Sequence, residues 1–355
     1  MGESQKIPQR ATLRDVALAA NVAVSTVSGI LNQRTDSWAS QATKKRVSEA
    51  ARKLSYTPNR LARGLRLRQF MRVTLVIPDL MNPLYAVLAR ALQRVLSSQG
   101  YELLVEETEN ESQKEAHVLQ ELEEQHSDGI VCVLENPLMH RPLLERLCRR
   151  MAVVVFASPL PETEIDTVES DFHGSFREVI QHVVKLGHSR AGFVDALAGH
   201  TDPIGRLPVF RGLANEMGLE CPETSWIRCS AALDDIRVSV RTWAKLITPA
   251  ERASVLFCTN DLAAICAIRG LLDAGLVVPD DVSVVGFDDI PISAMLPCPL
   301  TTIYQPVGEM ARKASEAIIR RIKNRGKGGG TATHVSLPTR LVLRESAARP
   351  KGRKG

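Results

Sequence analysis

Short apolar runs recur along most of this chain, and their spacing restricts the fold more than any other feature. They are VTLVIP (73–78), ELLVEE (102–107), GIVCVL (129–134), AVVVFA (152–157), AGFVD (191–195), SVLFC (254–258) and VSVVGF (282–287), mostly starting about 23 to 40 residues apart. Each interval leaves room for one helix and its turns. Residues 84–99 (LYAVLARALQRVLSSQ) and 261–274 (DLAAICAIRGLLDA) have helical apolar periodicity. Each is followed by a glycine, Gly100 or Gly275, suited to the left-handed position just past a helix end. Strands joined through helices need crossover connections, so the pattern predicts parallel sheets with helices on both faces. Seven or more strands are too many for one small sheet, which predicts an α/β body of two packed subdomains.

Residues 11–56 contain no strand run and predict three short helices, 13–20, 24–31 and 41–54, with Thr12 and Ser40 placed to cap the first and third. The charge also changes there. Residues 1–70 hold 13 Lys+Arg against 4 Asp+Glu, whereas the remainder holds 32 against 36. A basic segment on an acidic body predicts a polyanionic partner for that segment alone. Within LRDVALAANVAVSTVSGILN (13–32), Ala17, Asn21 and Val27 have the spacing of a helix-turn-helix. Ala17 is small where the helices cross, and Asn21 tolerates the left-handed turn conformation. Val16, Ala20, Val22, Val27 and Ile30 supply packing faces. A structural helical hairpin has the same spacing; the charge and the polar first turn of the second helix favour DNA.

PNRLARGLRLRQF (58–70) begins like a helix at Pro58, yet Gly64 weakens it and four arginines surround the face shared by Ala62 and Leu65. A helix this short is marginal in isolation. Without its flanking motifs it reads rather as a flexible interdomain linker.

In open α/β sheets, ligands bind beyond the carboxyl ends of the strands. The polar residues following the apolar runs are Asp79 and Asn82, Glu135 and Asn136, His200, Thr201 and Asp202, Asn260 and Asp261, and Asp288 and Asp289. They are expected to converge on a cleft between the subdomains that encloses a small molecule. Catalytic motifs are absent: GHSRAG (187–192) has one residue too many for a nucleophile elbow, and there is no P-loop, GxGxxG or HExxH. We therefore expect no enzyme and no cofactor. Seven scattered cysteines without a CxxC argue against a zinc site or disulfide framework. The polar N-terminus lacks the apolar core of a secretory leader, and no run is long enough to span a bilayer, so the expected address is cytoplasmic with no membrane partner.

Taken in order, TLRDVA (12–17), VSTVS (24–28), ILN (30–32), ASQATKKRV (39–47) and LSYTPNRLARGL (54–65) resemble the headpiece of lac repressor family transcription regulators. The resemblance continues through IPDLMNPLY (77–85), KLGHSRAGFV (185–194), RLPVFRGL (206–213), TNDLAAICAIRGLLDAGLVVPDDVSVVGFDD (259–289) and PLTTIYQP (299–306). It covers residues 12 to about 344. It implies a three-helix helix-turn-helix headpiece (11–57), a hinge helix (58–70) and a two-subdomain periplasmic-binding-protein-like body (71–345), followed by a basic disordered tail (346–355). The N-subdomain is expected at about 71–168 and 302–328, and the C-subdomain at about 169–301 and 329–345.

By the same resemblance, Val24, Ser25, Thr26, Ser28 and Gly29 face the DNA major groove, with Val24 and Ser25 where relatives vary to choose an operator. Gly29 stands where many relatives carry a long side chain, and Ala23 replaces a common serine. Thr12, Asn32, Thr43 and Tyr56 are implied to position phosphates. Asn59, Arg60, Ala62, Arg63 and Leu65 would enter the minor groove, Leu65 as the apolar wedge at the central base step. In the body, Asp79, Tyr85, Asn136, Thr201, Arg206, Asn260, Asp261 and Asp288 are implied to bind the effector, a sugar, nucleoside or purine in relatives. Ala232 lies where some relatives place an aromatic ring. The implied function is a ligand-responsive homodimeric repressor on a palindromic double-stranded DNA operator. Residues 333–355 carry no leucine heptads, so a tetramer is not expected.

Overall fold

The structure, a computed structural model, describes residues 11–31, 39–57, 64, 69–124, 127–157, 160, 163–196, 205–325 and 331–351. The chain divides into two compact units, Met1–Phe70 and Met71–Gly355.

Among the described residues, the first unit contains the helices α1 (Leu13–Ala20), α2 (Val24–Leu31) and α3 (Gln41–Lys53). Thr12 starts α1 with a capping box. Its hydroxyl accepts from Asp15 N–H, and the Asp15 carboxylate accepts the Thr12 N–H at 2.7 Å. Asn21 ends α1 at φ 51°, the left-handed turn its side chain tolerates, and the chain bends by 104° into α2. Ser40 caps α3 through Thr43 N–H. Val16, Ala17, Ala20, Val27, Val47, Ala50 and Ala51 form the core, with Val22 and Ile30 at its margin.

The second unit has two α/β lobes. The first lobe contains β1 (Arg72–Ile77), α4 (Pro83–Ser98), β2 (Glu102–Glu107), α5 (Ser112–Glu121), β3 (Gly129–Cys132), α6 (Arg141–Cys148), β4 (Ala152–Val155) and β5 (Asp166–Asp171). The second contains α7 (His173–Lys185), β6 (Ala191–Asp195), α8 (Arg206–Glu216), β7 (Trp226–Arg228), α9 (Leu233–Leu246), β8 (Val255–Cys258), α10 (Asp261–Asp273) and β9 (Ser283–Val285). The chain then runs through β10 (Thr302–Tyr304), α11 (Val307–Lys323), β11 (His334–Pro338) and β12 (Arg340–Val342). The first sheet is parallel, in the order β11-β5-β4-β3-β1-β2; the second is parallel, β7-β6-β8-β9. In the first lobe α4 and α11 supply the core on one face, and the residues around α5 and α6 supply the other. Separate apolar clusters cover the two faces of the second sheet. Gly100 and Gly275, both at φ 83°, end their helices as expected.

Three boundaries differ from the sequence expectation. β5 continues the first sheet to Asp171, beyond residue 168. β10, expected in the N-subdomain, pairs with β12 and buries Ile303 in the second lobe's core. β11, expected in the C-subdomain, is the edge strand of the first sheet. The chain passes between the lobes at these points, and the crossing strands are polar (β5 reads DTVESD), so no apolar run marks them. The segment expected as a disordered tail is docked as far as Lys351. Ser346 is fully buried, donating to Val284 O and accepting from Thr301 N–H, and Ala348 O accepts from Ser283 Oγ. Its polar groups are consumed by backbone pairing, which composition could not reveal.

One buried carboxylate fastens the first lobe. Asp166, fully buried, accepts from Arg320 and Arg321 on α11 and from Thr333. Burial raises its pKa, but the bonds from Arg321 and Thr333 outweigh that and hold it below its ordinary value.

Candidate ligand cavity and DNA-reading helix

Between the lobes lies a cavity of about 930 Å³, lined by the residues that follow the carboxyl ends of strands in both sheets. From the first lobe come Asp79 and Asn82 after β1, Glu135 and Asn136 after β3, and Tyr85 on α4. The second contributes Asp195 at the end of β6, Arg228 at the end of β7, Asn260 after β8, Asp288 after β9 and Arg206 on α8. Parallel strands leave their turns at one edge of each sheet, so the topology gathers these side chains.

Asp288 is the most constrained of them. It is 3% exposed, its backbone sits at φ 119°, and its carboxylate accepts from Gln305 Nε2 at 2.7 Å. Arg206 Nη2 lies 3.8 Å away, and Asn82, from the opposite lobe, lies close enough to lower its pKa. Burial pushes the Asp288 pKa up to about 6 while Arg206, Gln305 and Asn82 pull it back. Arg206 is itself held: its guanidinium lies 3.9 Å above the Phe287 ring and donates to Thr259 O. Gln305 accepts in turn from Ser170 Oγ of β5 at 2.6 Å. A polar chain therefore crosses the cleft from Ser170 through Gln305 to Asp288 and Arg206. Gln305 and Ser170 were not singled out from the sequence; Gln305 stands in the quoted motif PLTTIYQP, but its role depends on the lobe crossing.

The remaining expected positions fall into three groups. Tyr85 lines the cavity, and burial together with the charges of Glu135, Asp288 and Asp79 raises its pKa. Asp79, Asn136 and Asn260 also line it while serving local turns: Asp79 accepts from Met81 N–H, Asn136 from Met139 N–H, and Asn260 caps α10 through Ala263 N–H. Thr201, with His200 and Asp202, lies outside the described residues. Asp261 is a correction. It is fully buried behind the cavity wall, its carboxylate bonded to Ile290 N–H, Ser293 Oγ and Thr302 Oγ1. Those bonds fix the loop after β9 and the start of β10, so Asp261 supports the loop that carries Asp288 and does not itself line the cavity. Ala232 caps α9, and its neighbour Ala231 reaches the cavity; Phe156 and Phe172 supply aromatic surface there instead.

In the first unit, Val24 is 43% exposed and Ser25 is exposed at the start of α2, while Thr26, Ser28 and Gly29 are half-buried. Val27 faces inward with no exposure. Thr12 is exposed but engaged by Asp15, and Tyr56 packs at the core's margin. Asn32, Asn59, Arg60, Ala62, Arg63 and Leu65 lie outside the described residues.

Comparison with known proteins adds three findings. Residues 12–59 match the model of the lacI family of bacterial regulatory proteins, and residues 180–347 match that of the periplasmic binding protein-like domain. The HTH-type transcriptional repressor PurR of Aliivibrio salmonicida is 29% identical over 324 residues, covering 89% of this chain and 93% of PurR. The ribose operon repressor of Escherichia coli is 29% identical over 317 residues, covering 88% of this chain and 93% of that repressor. Among solved structures, the lac repressor dimer bound to operator and the anti-inducer ONPF superposes with a TM-score of 0.78 at 21% identity, over 96% of this chain and 100% of that one.

Proposed function

The chain belongs to the lacI family of bacterial regulatory proteins, and on that premise we propose that it represses transcription as a homodimer under the control of a small effector. It is a DNA-binding regulator and not an enzyme. Each headpiece reads one half-site of a palindromic operator through Val24, Ser25 and the first turns of α2, with Thr12 and Tyr56 against phosphates. Residues 58–70 pair with their counterpart in the minor groove, where Leu65 opens a base step. The effector, sugar-type as the ribose operon repressor's name suggests, occupies the cavity against Arg206, Asp288, Tyr85 and Asn260.

The observation that carries this reading is the polar chain across the cleft. Ser170 from one lobe, and Asp288 and Arg206 from the other, meet through Gln305 and few bonds. A ligand that takes over some of those bonds prefers one arrangement of the lobes, and the two sites then couple reciprocally, typically by ~1–3 kcal/mol.

The test selects an operator from random duplexes with the full chain and follows its affinity with salt. The logarithm of affinity should fall with that of salt by about 0.9 per phosphate neutralised. Leu65→Ala should weaken operator binding far more than binding to unrelated DNA. Salt-independent binding, or equal losses on both DNAs, would refute the reading.

A further inference from the structure

The apolar part of the cavity wall deepens the effector reading above and rests on it. β3 and β4 pair as far as Cys132 and Val155, and Phe156 N–H donates to Cys132 O at 2.8 Å, so the turns that follow leave the sheet side by side. Val133, Leu134 and Leu138 after β3, and Phe156, Ala157 and Leu160 after β4, line the cavity. Val133 and Phe156 pack on the core at one face of the sheet; Leu134, Ala157 and Leu160 pack on the core at the other. An apolar wall anchored in both cores therefore closes this end of the sheet, and Leu138 remains 44% exposed there. Of the polar residues on the turn after β3, Asn136 serves Met139 N–H, and Glu135 stands close enough to Tyr85 of α4 for its charge to act on the phenol.

The second lobe presents the opposite chemistry. Arg206, Asn260 and Asp288 line the cavity with donors and acceptors suited to hydroxyl groups. A ligand that touches both walls must be polar at one end and apolar at the other. Water on an apolar wall makes few bonds, and an apolar group that displaces it gains affinity. A hydroxyl pressed against the same wall gives up its water with no bond in exchange. A cavity of about 930 Å³ has room for both parts of such a molecule.

We propose that the effector is a glycoside of an apolar alcohol or phenol. Its sugar ring faces Arg206, Asn260 and Asp288, and its apolar group lies against Leu134, Leu138 and Phe156.

The experiment titrates the full chain by calorimetry with the methyl and phenyl β-glycosides of glucose, galactose and xylose, with the free sugars and phenol as controls. For at least one sugar, the phenyl glycoside should bind roughly tenfold or more tightly than the methyl one, with a more negative heat-capacity change. Leu138→Ser, a change on exposed surface, and Phe156→Ala should each lower the phenyl-to-methyl ratio by about threefold or more. A methyl glycoside or free sugar that binds as tightly as the phenyl glycoside, a ratio unchanged in both variants, or silence across the set overturns the proposal. Phenol that binds as tightly as the phenyl glycoside also overturns it, because the sugar is then dispensable. Arg206→Ala and Asp288→Asn separate this from the cavity reading. A probe lost in both variants but indifferent to its apolar group overturns the glycoside assignment alone. A probe whose binding survives both lies outside the cavity and overturns the site as well.

Discussion

Arg206 and Asp288 face each other at 3.8 Å where the two lobes meet, the arginine fixed above Phe287 and the aspartate tied to Gln305. Neither depends on the other alone for its position, so an effector can enter between groups already oriented. Replacing Arg206 with Ala removes the guanidinium beside a 3%-exposed carboxylate. The Asp288 pKa should then rise above about 6, which carboxyl NMR titration would check. Effector binding should be lost while operator affinity persists. Arg206→Lys should not restore the response, because one ammonium cannot reproduce the planar fork that serves Thr259 O, Asp288 and the Phe287 face together. An unchanged effector response in Arg206→Ala would refute the assignment.

Asp261 gives the body a pH dependence of the less common sign. Burial, then the charge of Asp288, raises its pKa from 3.8 to about 7, against the pull of Ser293, Thr302 and Ile290 N–H. An acid with a raised folded pKa keeps its proton longer in the folded state than in the unfolded chain. Its contribution to stability is complete below the ordinary aspartate range and is lost as pH rises through about 7. Asp261→Asn cannot titrate. The melting-temperature gap between wild type and this variant should shrink from pH 5 to pH 8, and a constant gap would show that Asp261 titrates normally.

The sequence carried the repeating part of this structure and missed the part that depends on chain crossings. Buried parallel strands such as AVVV and VLFC are apolar on both faces, so they stand out as runs; β5, β11 and β12 are polar or exposed at an edge or crossing and do not. Asp79, Tyr85, Asn136, Arg206, Asn260 and Asp288 line the cavity, each placed there in the sequence by a strand end or by a family motif. Asp261 was misread for a physical reason. It lies next to Asn260 at the start of α10, but its side chain points into the interior, and one-dimensional proximity does not report direction. Gln305 was missed because its partners, Ser170 and Asp288, are 135 and 17 residues away.

The same buried carboxylate makes Gly286 intolerant of a side chain. A Cβ there would lie 2.1 Å from Asp261 Oδ1 and 2.8 Å from Leu300 Cδ2. Relief requires moving Asp261, which would break its bonds to Ile290, Ser293 and Thr302. Gly286→Ala should destabilise the body by about 3 kcal/mol or more, through overpacking and loss of a buried network. Gly212, within α8 and with nothing inside 4 Å of its Cβ position, provides the control. Gly212→Ala should be neutral or stabilising by up to ~1 kcal/mol. Urea unfolding of the two variants side by side distinguishes a steric effect from a general sensitivity to glycine replacement.

Val24 and Val27 lie three residues apart on α2, yet one is 43% exposed and the other fully buried against Val16, Ala17 and Val47. The helix thus separates reading from folding. Val27→Ala removes two methyl groups from a core that, among the described residues, has seven buried side chains, four of them alanine. It should cost about 2 kcal/mol and raise amide exchange across α1 and α2. Val24→Ala removes the same atoms from solvent-facing surface and should change stability by no more than about 0.5 kcal/mol. Its effect should appear in recognition, where Val24 can offer a base edge only apolar contact, such as with a thymine methyl. Operator selection repeated with Val24→Ala should relax one symmetric base position in each half-site and leave the salt slope unchanged, because no phosphate contact is lost. A uniform loss of affinity on all sequences would instead place Val24 outside the reading face.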